Sequence, residues 1–545
     1  MHLKCKINLK TPKRKLQKSE SRLDMSDIKI YDTTLRDGSQ AEGISFTVED
    51  KIRIAHKLDE LGVHYVEGGW PGSNPRDIDF FEKVQRINFS QTQITAFGST
   101  RYPGKKVEDD IVLQALLKTE TRVVTIFGKT WDLHVREALS TNIDENLRMI
   151  FDSIAYLKKQ RDEVLFDAEH FFDGYKNNPE YAIKAVKEAE SAGADWIILC
   201  DTNGGTLPHE VRSIFEEVKK IISAKMGIHA HNDSELAVAN SLNAIQAGAE
   251  QVQGTINGIG ERCGNANLVS IIPNLKIKMG IDCVTNAQLQ SLKEVSAFVD
   301  ELANKAHWDH QPFVGKSAFA HKGGVHVSAV RKNSQTYEHI EPKKVGNHQR
   351  ILVSDLAGKG NILHKAKEYG LDVDDKDPNV QKILASLKES ENLGFQYEGA
   401  EASFELMMRD ALGQKGIFFE FIGFRVIVEK RKEDEESISE ATVKLRVNGI
   451  QEVSTAEGTG PVNALDKAIK KALVKFYPEL EEVNLYDYKV RILEEKKGTR
   501  AKTRVLVESG DHHTRWGTVG VSENIIEASW QALIDSIDYK LNQKE

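Results

Sequence analysis

From about Ile28 to about Asn286, short apolar runs that read as strands alternate with longer runs that read as amphipathic helices. This alternation commits the chain to the α/β class with a parallel sheet. The strand candidates are Ile28–Tyr31, Tyr65–Gly68, Ile94–Phe97, Val123–Phe127, Val164–Asp167, Trp196–Cys200, Gly227–His231 and Gln251–Thr255. Helical stretches such as Thr47–Leu61 and Ile143–Lys159 lie between them. Leu61-Gly62-Val63 and Ala192-Gly193-Ala194-Asp195 read as helix stops followed at once by a new strand. Eight βα units in roughly 250 residues is the size of a closed (β/α)8 TIM barrel. A doubly wound open sheet is the competitor, but it usually has fewer strands and a Gly-rich nucleotide turn. No G-x-G-x-x-G follows the first strand.

A barrel of this kind carries its chemistry at the C-terminal ends of its strands, and the polar residues gather there. Asp37 follows strand one in Tyr31-Asp-Thr-Thr-Leu-Arg-Asp-Gly38, and Glu67 ends strand two. Asp167 and Glu169 end strand five, Asp201 and Thr202 end strand six, and His229 and His231 end strand seven. Two histidines at i and i+2 on a strand face the same way. One carboxylate and two same-facing imidazoles are three of the ligands a catalytic divalent metal needs, with Arg36 left to face a substrate. A local ion pair and two structural histidines are the plainer alternative. The loop Asn257-Gly-Ile-Gly-Glu-Arg-Cys-Gly-Asn-Ala-Asn267 follows strand eight and can bring the Asn265 amide and backbone N–H groups to a small anion. Such ligands suit Mg²⁺ or Mn²⁺, and imidazole also suits Zn²⁺. Without thiolates the set does not read as a closed structural zinc site. Open positions would let a 2-oxo acid chelate, with the metal as Lewis acid.

The remainder of the chain differs in character. Residues 1–24 hold eight Lys or Arg against two acidic residues and read as a disordered leader ahead of a start at Met25, an organelle-targeting segment being the other reading. The barrel is assigned to 25–286, a helical, charged connecting region to 287–399, and a C-terminal domain to 400–545. In that last domain an internal repeat is visible. Phe424–Glu429, Thr442–Val447 and Glu452–Ala456 read as strands, followed by Gly458-Thr459-Gly460 and a helix with Ala468, Ala472 and Leu473. Tyr488–Leu493, Thr503–Glu508 and His513–Trp516 repeat the pattern, followed by Gly517-Thr518 and a helix with Ala528, Ala532 and Leu533. Two βββα units would make a pseudo-symmetric α+β domain. A net charge of -8 argues against a nucleic-acid partner. No apolar run approaches the roughly 18 residues of a membrane span. The scattered Cys5, Cys200, Cys263 and Cys283 fit a reducing, cytoplasmic setting without a disulfide framework.

Three of these segments, Asp32-Thr-Thr-Leu-Arg-Asp-Gly-Ser-Gln40, His229-Ala-His-Asn-Asp233 and Gly258-Ile-Gly-Glu-Arg-Cys-Gly-Asn265, resemble the signatures of the DRE-TIM metallolyases. Within that superfamily the chain resembles the Claisen-condensing synthases that make 2-isopropylmalate, homocitrate and citramalate, from about Ile28 to the C-terminus. Tyr65-Val-Glu-Gly-Gly-Trp-Pro-Gly-Ser-Asn-Pro75 and Thr125-Ile-Phe-Gly-Lys-Thr-Trp131 look most like the longer form of the citramalate synthases. The resemblance implies Asp37, His229, His231 and Asn265 as metal ligands, and Arg36 as the group that stabilises the keto oxygen as it becomes an alkoxide. It implies Glu169 as catalytic acid or base and Thr202 as a substrate-contacting hydroxyl. His326 and Tyr337 match catalytic residues of the connecting region, which in these synthases crosses to a partner barrel, implying a homodimer.

The implied reaction joins acetyl-CoA to pyruvate and hydrolyses the thioester, in isoleucine biosynthesis by the threonine-independent route. The implied effector of the C-terminal domain is isoleucine, with Gly458, Thr459, Gly460, Gly517 and Thr518 as candidate contacts ahead of two helix N-termini; a plain dimerisation domain is the alternative. One departure bears on substrate. The 2-isopropylmalate synthases carry Ser or Cys where this chain has Asp167, and a carboxylate beside a branched apolar substituent would be costly. That favours a small 2-oxo acid. A 2-isopropylmalate synthase using 2-oxoisovalerate, a retro-Claisen lyase and an inactive amino-acid sensor are the rival readings.

Overall fold

The computed structural model describes residues 28–543 except 73, 355–356, 375–376, 431, 434–435 and 494–499. The basic segment 1–24 lies outside the described residues. These residues fall into two compact units: one runs to Ala318 and also takes in Pro342–His348, and the other holds Phe319–Glu341 and everything from Gln349.

The first unit is the closed barrel the alternation predicts. Its strands are β1 (Lys29–Asp32), β2 (Tyr65–Gly69), β3 (Gln93–Ser99), β4 (Val123–Lys129), β5 (Glu163–Glu169), β6 (Trp196–Asp201), β7 (Lys225–Ala230) and β8 (Gln251–Gly254), in sequential order. All neighbours are parallel, and β1 pairs with both β2 and β8, through Tyr31↔Tyr65 and Tyr31↔Gln253. Parallel strands covered on both faces read as near-continuous apolar runs, which is why each expected strand overlaps an observed one. Outward positions such as Ile30, Val66, Ala96, Val124, Phe166, Ile197, Ile228 and Val252 are fully buried. Full burial of one such side chain contributes about 1.5–3 kcal/mol.

Helix boundaries follow local chemistry. Thr47 caps Val48–Leu61 in a capping box with Asp50, and Gly62 ends it at φ 93°. Gly193, past the end of Pro179–Ser191, sits at φ 99°. Both backbones are left-handed, where a Cβ is penalised. Inside the barrel the lower layer is apolar and aromatic, with Tyr65, Val123, Leu165, Trp196 and Ile198 in one cluster with Tyr31. Above it the inward positions turn polar.

The second unit begins with a two-residue parallel pair, β9 (Ala320–His321) and β10 (Arg350–Ile351), among helices that include Gly324–Lys332, Asn379–Leu393 and Glu401–Ala411. Two antiparallel sheets follow: β11 (Glu420–Glu429), β12 (Ile438–Val447) and β13 (Ile450–Gly458), then β14 (Asn484–Ile492), β15 (Thr503–Gly510) and β16 (Arg515–Ser522). Helix Pro461–Leu473 follows the first sheet and Ile525–Asn542 the second. The repeat is therefore real, and its small helical residues explain the packing: Ala464, Ala468, Ala472, Ala528 and Ala532 are fully buried in a shared core with Val443, Leu445 and Val505.

One element of the repeat needs correction. The third strand of the second unit runs through Gly517 and Thr518 to Ser522, so these two residues do not precede a helix N-terminus. The Thr518 hydroxyl donates to the Ala532 carbonyl at 2.7 Å. A Cβ on Gly517 would lie 2.0 Å from the Gly399 carbonyl oxygen. The glycine that read as a turn is a point of close backbone approach inside a strand. Among the described residues no helix is long and apolar enough to cross a membrane.

Candidate metal centre and active site

Asp37, His229 and His231 come together although they lie on opposite ends of the barrel's chain. Asp37 stands in the tight turn after β1, His229 on β7 and His231 just beyond it. Asp37 Oδ2 lies 3.5 Å from His229 Nε2 and 3.8 Å from His231 Nε2, and the two Nε2 atoms are 3.4 Å apart. All three side chains are buried. Within the described residues this is the one cluster of three or more such groups with metal-holding spacing.

The third signature loop is folded onto them. An isolated bridge pairs His231 with Asn265, and the Asn232 N–H donates to the Gly264 carbonyl at 2.9 Å. Gly264, at φ 89°, is the position where a Cβ would strike the Gly258 carbonyl at 1.9 Å, so only glycine closes the loop this tightly. Arg262 clamps it from outside, donating to both Asp233 carboxylate oxygens at 2.8 and 2.9 Å and to the Thr202 carbonyl at 2.7 Å.

The electrostatics suit a cation. Burial pushes the Asp37 carboxyl up, but Arg36 and the two imidazoles outweigh it and hold it well below the usual carboxylate range. Burial and then the neighbouring His229 push His231 down to about 3, so its ring is neutral at physiological pH. Burial also disfavours charge on His229, yet Asp37 and then Asp167 raise it above its ordinary value. Asp37 Oδ1 and both amide atoms of Asn265 are buried without a hydrogen-bond partner. Buried polar atoms left unpaired are rare and call for an explanation. For the two oxygens, a divalent ion bound by two imidazole nitrogens, a carboxylate and an amide oxygen supplies it, while Asn265 Nδ2 is left as a donor facing the site; the donor set fits Mn²⁺, Mg²⁺ or Zn²⁺.

Arg36 is held on three sides. Its Nε pairs with Glu67 Oε1, its Nη1 donates to Asp37 Oδ2 at 3.1 Å, and its guanidinium carbon stands 3.9 Å above the Phe97 ring. Glu67, fully buried, also accepts from the Tyr31 hydroxyl at 2.6 Å, and Tyr31 is 2.8 Å from the Thr125 hydroxyl. Phe97 and Phe127 stack at 5.5 Å, and Trp70 meets both edge-on at 5.8 and 5.6 Å. The guanidinium is thereby fixed at the mouth of the barrel between a carboxylate network and an aromatic wall.

Glu169 ends β5 in register with Lys129 at the end of β4, and the two form an ion pair. The Thr202 hydroxyl accepts the His170 N–H at 2.9 Å. His326 and Tyr337 belong to the second unit, where their rings stack at 4.1 Å. Gly458, Thr459 and Gly460 lead into helix Pro461–Leu473, with the Thr459 N–H donating to Asn463 Oδ1 at 3.2 Å.

Lys129 and Gln253 went unassigned in the sequence, and Glu67 was placed at the rim without a role. Strand parity could have found Lys129, two positions beyond Phe127 and on the same face. Gln253 shares its face with Gln251 on strand eight by the same rule.

The chain matches the family model described as HMGL-like over residues 27–299. It matches the homocitrate synthase post-HMGL domain-like model over 313–393 and the LeuA allosteric (dimerisation) domain model over 398–541. It is 61% identical to the (R)-citramalate synthase of Geobacter sulfurreducens, over 96% of this chain and 99% of that one. It is 58% identical to the (R)-citramalate synthase of Aquifex aeolicus, over 95% and 98%. The 2-isopropylmalate synthase of Methanocaldococcus jannaschii is 34% identical, over 97% and 98%.

Proposed function

This chain belongs to the HMGL-like family and, within it, to the (R)-citramalate synthases, and from that membership we propose a Claisen condensation of acetyl-CoA with pyruvate, followed by thioester hydrolysis to citramalate and CoA. The observation that carries the reading is the buried Asp37–His229–His231 trio with Arg36 fixed beside it. In this reading Asp37, His229, His231 and Asn265 hold a divalent cation, Mn²⁺ or Mg²⁺ before Zn²⁺. Bound there, the cation would supply Lewis-acid polarisation of the keto group of the 2-oxo acid.

The chain's own groups do the remaining work. A base takes a methyl proton from the acetyl thioester, and Glu169 and His326 are the groups assigned to acid–base transfer. The resulting nucleophilic carbon attacks the keto carbon, and Arg36 faces the oxygen on which negative charge grows. A preorganised cation at that position acts where it lowers the barrier most. Thr202 contacts the substrate, and Tyr337 joins His326 from the second unit. Water then cleaves the thioester. The catalytic unit is a homodimer in which the connecting region serves the partner's barrel, working in the cytoplasm in isoleucine biosynthesis.

Substrate size follows from the wall beside Arg36. Trp70, Phe97 and Phe127 occupy the space there, which suits a methyl substituent. CoA release measured with pyruvate, 2-oxoisovalerate and 2-oxoglutarate is expected to give a kcat/KM about 10- to 10²-fold higher for pyruvate, since overfilling a packed pocket costs about 1–3 kcal/mol. Preference for 2-oxoisovalerate would move the reading to leucine biosynthesis.

For the C-terminal domain we assign isoleucine as inhibitor, with Gly458, Thr459 and Gly460 as contacts at a helix start. Isoleucine at a hundred times its dissociation constant is expected to lower the rate of CoA release and to stabilise the protein by about 2.7 kcal/mol, read as a rise in Tm. If neither the rate nor Tm moves, the effector assignment fails.

A further inference from the structure

The ring of His229 is held from the barrel interior by a residue of β8. His229 Nδ1 lies 2.9 Å from Gln253 Oε1. Gln253 is fully buried and stands in register with His229 on the adjoining strand. Its Nε2 lies 3.4 Å from Asp167 Oδ1 on β5 and 3.2 Å from Gln251 Oε1.

The direction of this amide follows from its neighbours. Burial pushes the Asp167 carboxyl up to about 7, and its ionised oxygen is faced by the NH₂ end, so the carbonyl end of Gln253 faces His229. An oxygen there can only accept, so Nδ1 carries the hydrogen. Nε2 then presents its lone pair to the space shared with Asp37 and His231, 3.5 and 3.4 Å away. Gln251 alone would not fix this arrangement, because two glutamine amides can invert together and keep their mutual hydrogen bond. Asp167 breaks the tie.

We propose that Gln253 and Asp167 are positioning residues that lock His229 in the Nδ1–H tautomer and aim its Nε2 for ligation. The inference rests on the metal-site reading above. A metal-binding imidazole needs its other nitrogen engaged to fix ring and tautomer, and such partners contribute strongly to affinity. It also gives Asp167 a task directed at the barrel wall: the carboxylate is spent on an amide rather than on the substrate's substituent.

The test is Mn²⁺ binding to the full-length, metal-free protein, with free Mn²⁺ counted by electron paramagnetic resonance and no substrate or turnover involved. Gln253→Leu is expected to weaken Mn²⁺ by about 10–100-fold. Gln253→Glu keeps an oxygen toward Nδ1–H and is expected to stay within a few-fold of the parent. Asp167→Leu, which frees both amides to invert, is expected to weaken Mn²⁺ several-fold, and it decides the matter if Gln253→Leu does not fold. Affinities for the Leu variants matching the parent's would overturn the inference. Failure of the parent to bind Mn²⁺, or Asp37→Asn binding as tightly as the parent, would instead sink the metal-site reading itself.

Discussion

Arg36→Ala is expected to lower kcat by about 10³-fold while leaving Mn²⁺ bound. Removal of one neutral oxyanion donor costs about 10²–10³-fold, and Arg36 carries a full charge in a buried setting, so the loss belongs at or above the upper end. The sign of the metal effect separates catalysis from assembly. Arg36 lies 3.1 Å from Asp37, so deleting its charge leaves the carboxylate freer to take a cation. Mn²⁺ affinity is therefore expected to hold or rise. Stability should fall, because Glu67 loses its charged partner while fully buried, and breaking a buried pair costs about 3–5 kcal/mol. Arg36→Lys keeps the charge but not the fork that reaches Glu67 and Asp37 together, and should recover only part of the rate. Turnover within tenfold of the parent in Arg36→Ala would remove Arg36 from the mechanism.

Removal of divalent metal by a chelator is expected to abolish CoA release, with Mn²⁺ or Mg²⁺ restoring it, and the affinity should depend on pH in a defined direction. His229 is raised above its ordinary 6.5 and His231 is pushed down to about 3. His231 therefore offers its lone pair at any working pH, whereas His229 must surrender a proton. Apparent affinity should climb about tenfold per pH unit below the raised His229 value and level off above it. The His229 contribution to the stability of the metal-free protein runs the other way. A raised imidazole contributes stability that is complete below 6.5, its unfolded value, and is lost as pH rises through its folded value. The gap in Tm between Mn²⁺-loaded and metal-free protein should widen from pH 6 to pH 8. A constant or narrowing gap would mean that His229 is not a ligand.

Much of the fold and the trio of candidate ligands were legible in the sequence for a shared reason. Barrel strands are buried on both faces and so announce themselves as apolar runs, and polar groups at their C-terminal ends stand out against that background. Gln253 was hidden by the same logic inverted. Gln251-Val-Gln-Gly alternates polar and apolar, as a half-exposed strand does, and only closure of the sheet turns that polar face inward. Lys129 lies two residues beyond the expected end of strand four and Glu169 two beyond that of strand five, so their pairing fell outside both expected strands. The misplacement of the last strand arose at the turn Asp511–Thr514, where the Asp511 carboxylate accepts the N–H groups of His513 and Thr514 at 2.7 and 2.8 Å. Taking that turn as strand shifted everything after it and moved Gly517-Thr518 to a helix start they do not occupy. His326 and Tyr337 were located by likeness alone, since no periodicity marks an exposed aromatic pair on a helix and a turn.

The closure of β8 onto β1 has a bearing on how the protein is made. Asp37 leaves the ribosome near the beginning of the barrel, the two histidines near its end, and Asn265 only after the final strand. No nascent chain that stops short of that strand holds the whole proposed ligand set, and Asn265 reaches His231 only through the loop that follows it. A cation held by all four proposed ligands would therefore be captured only after the first strand has met the last.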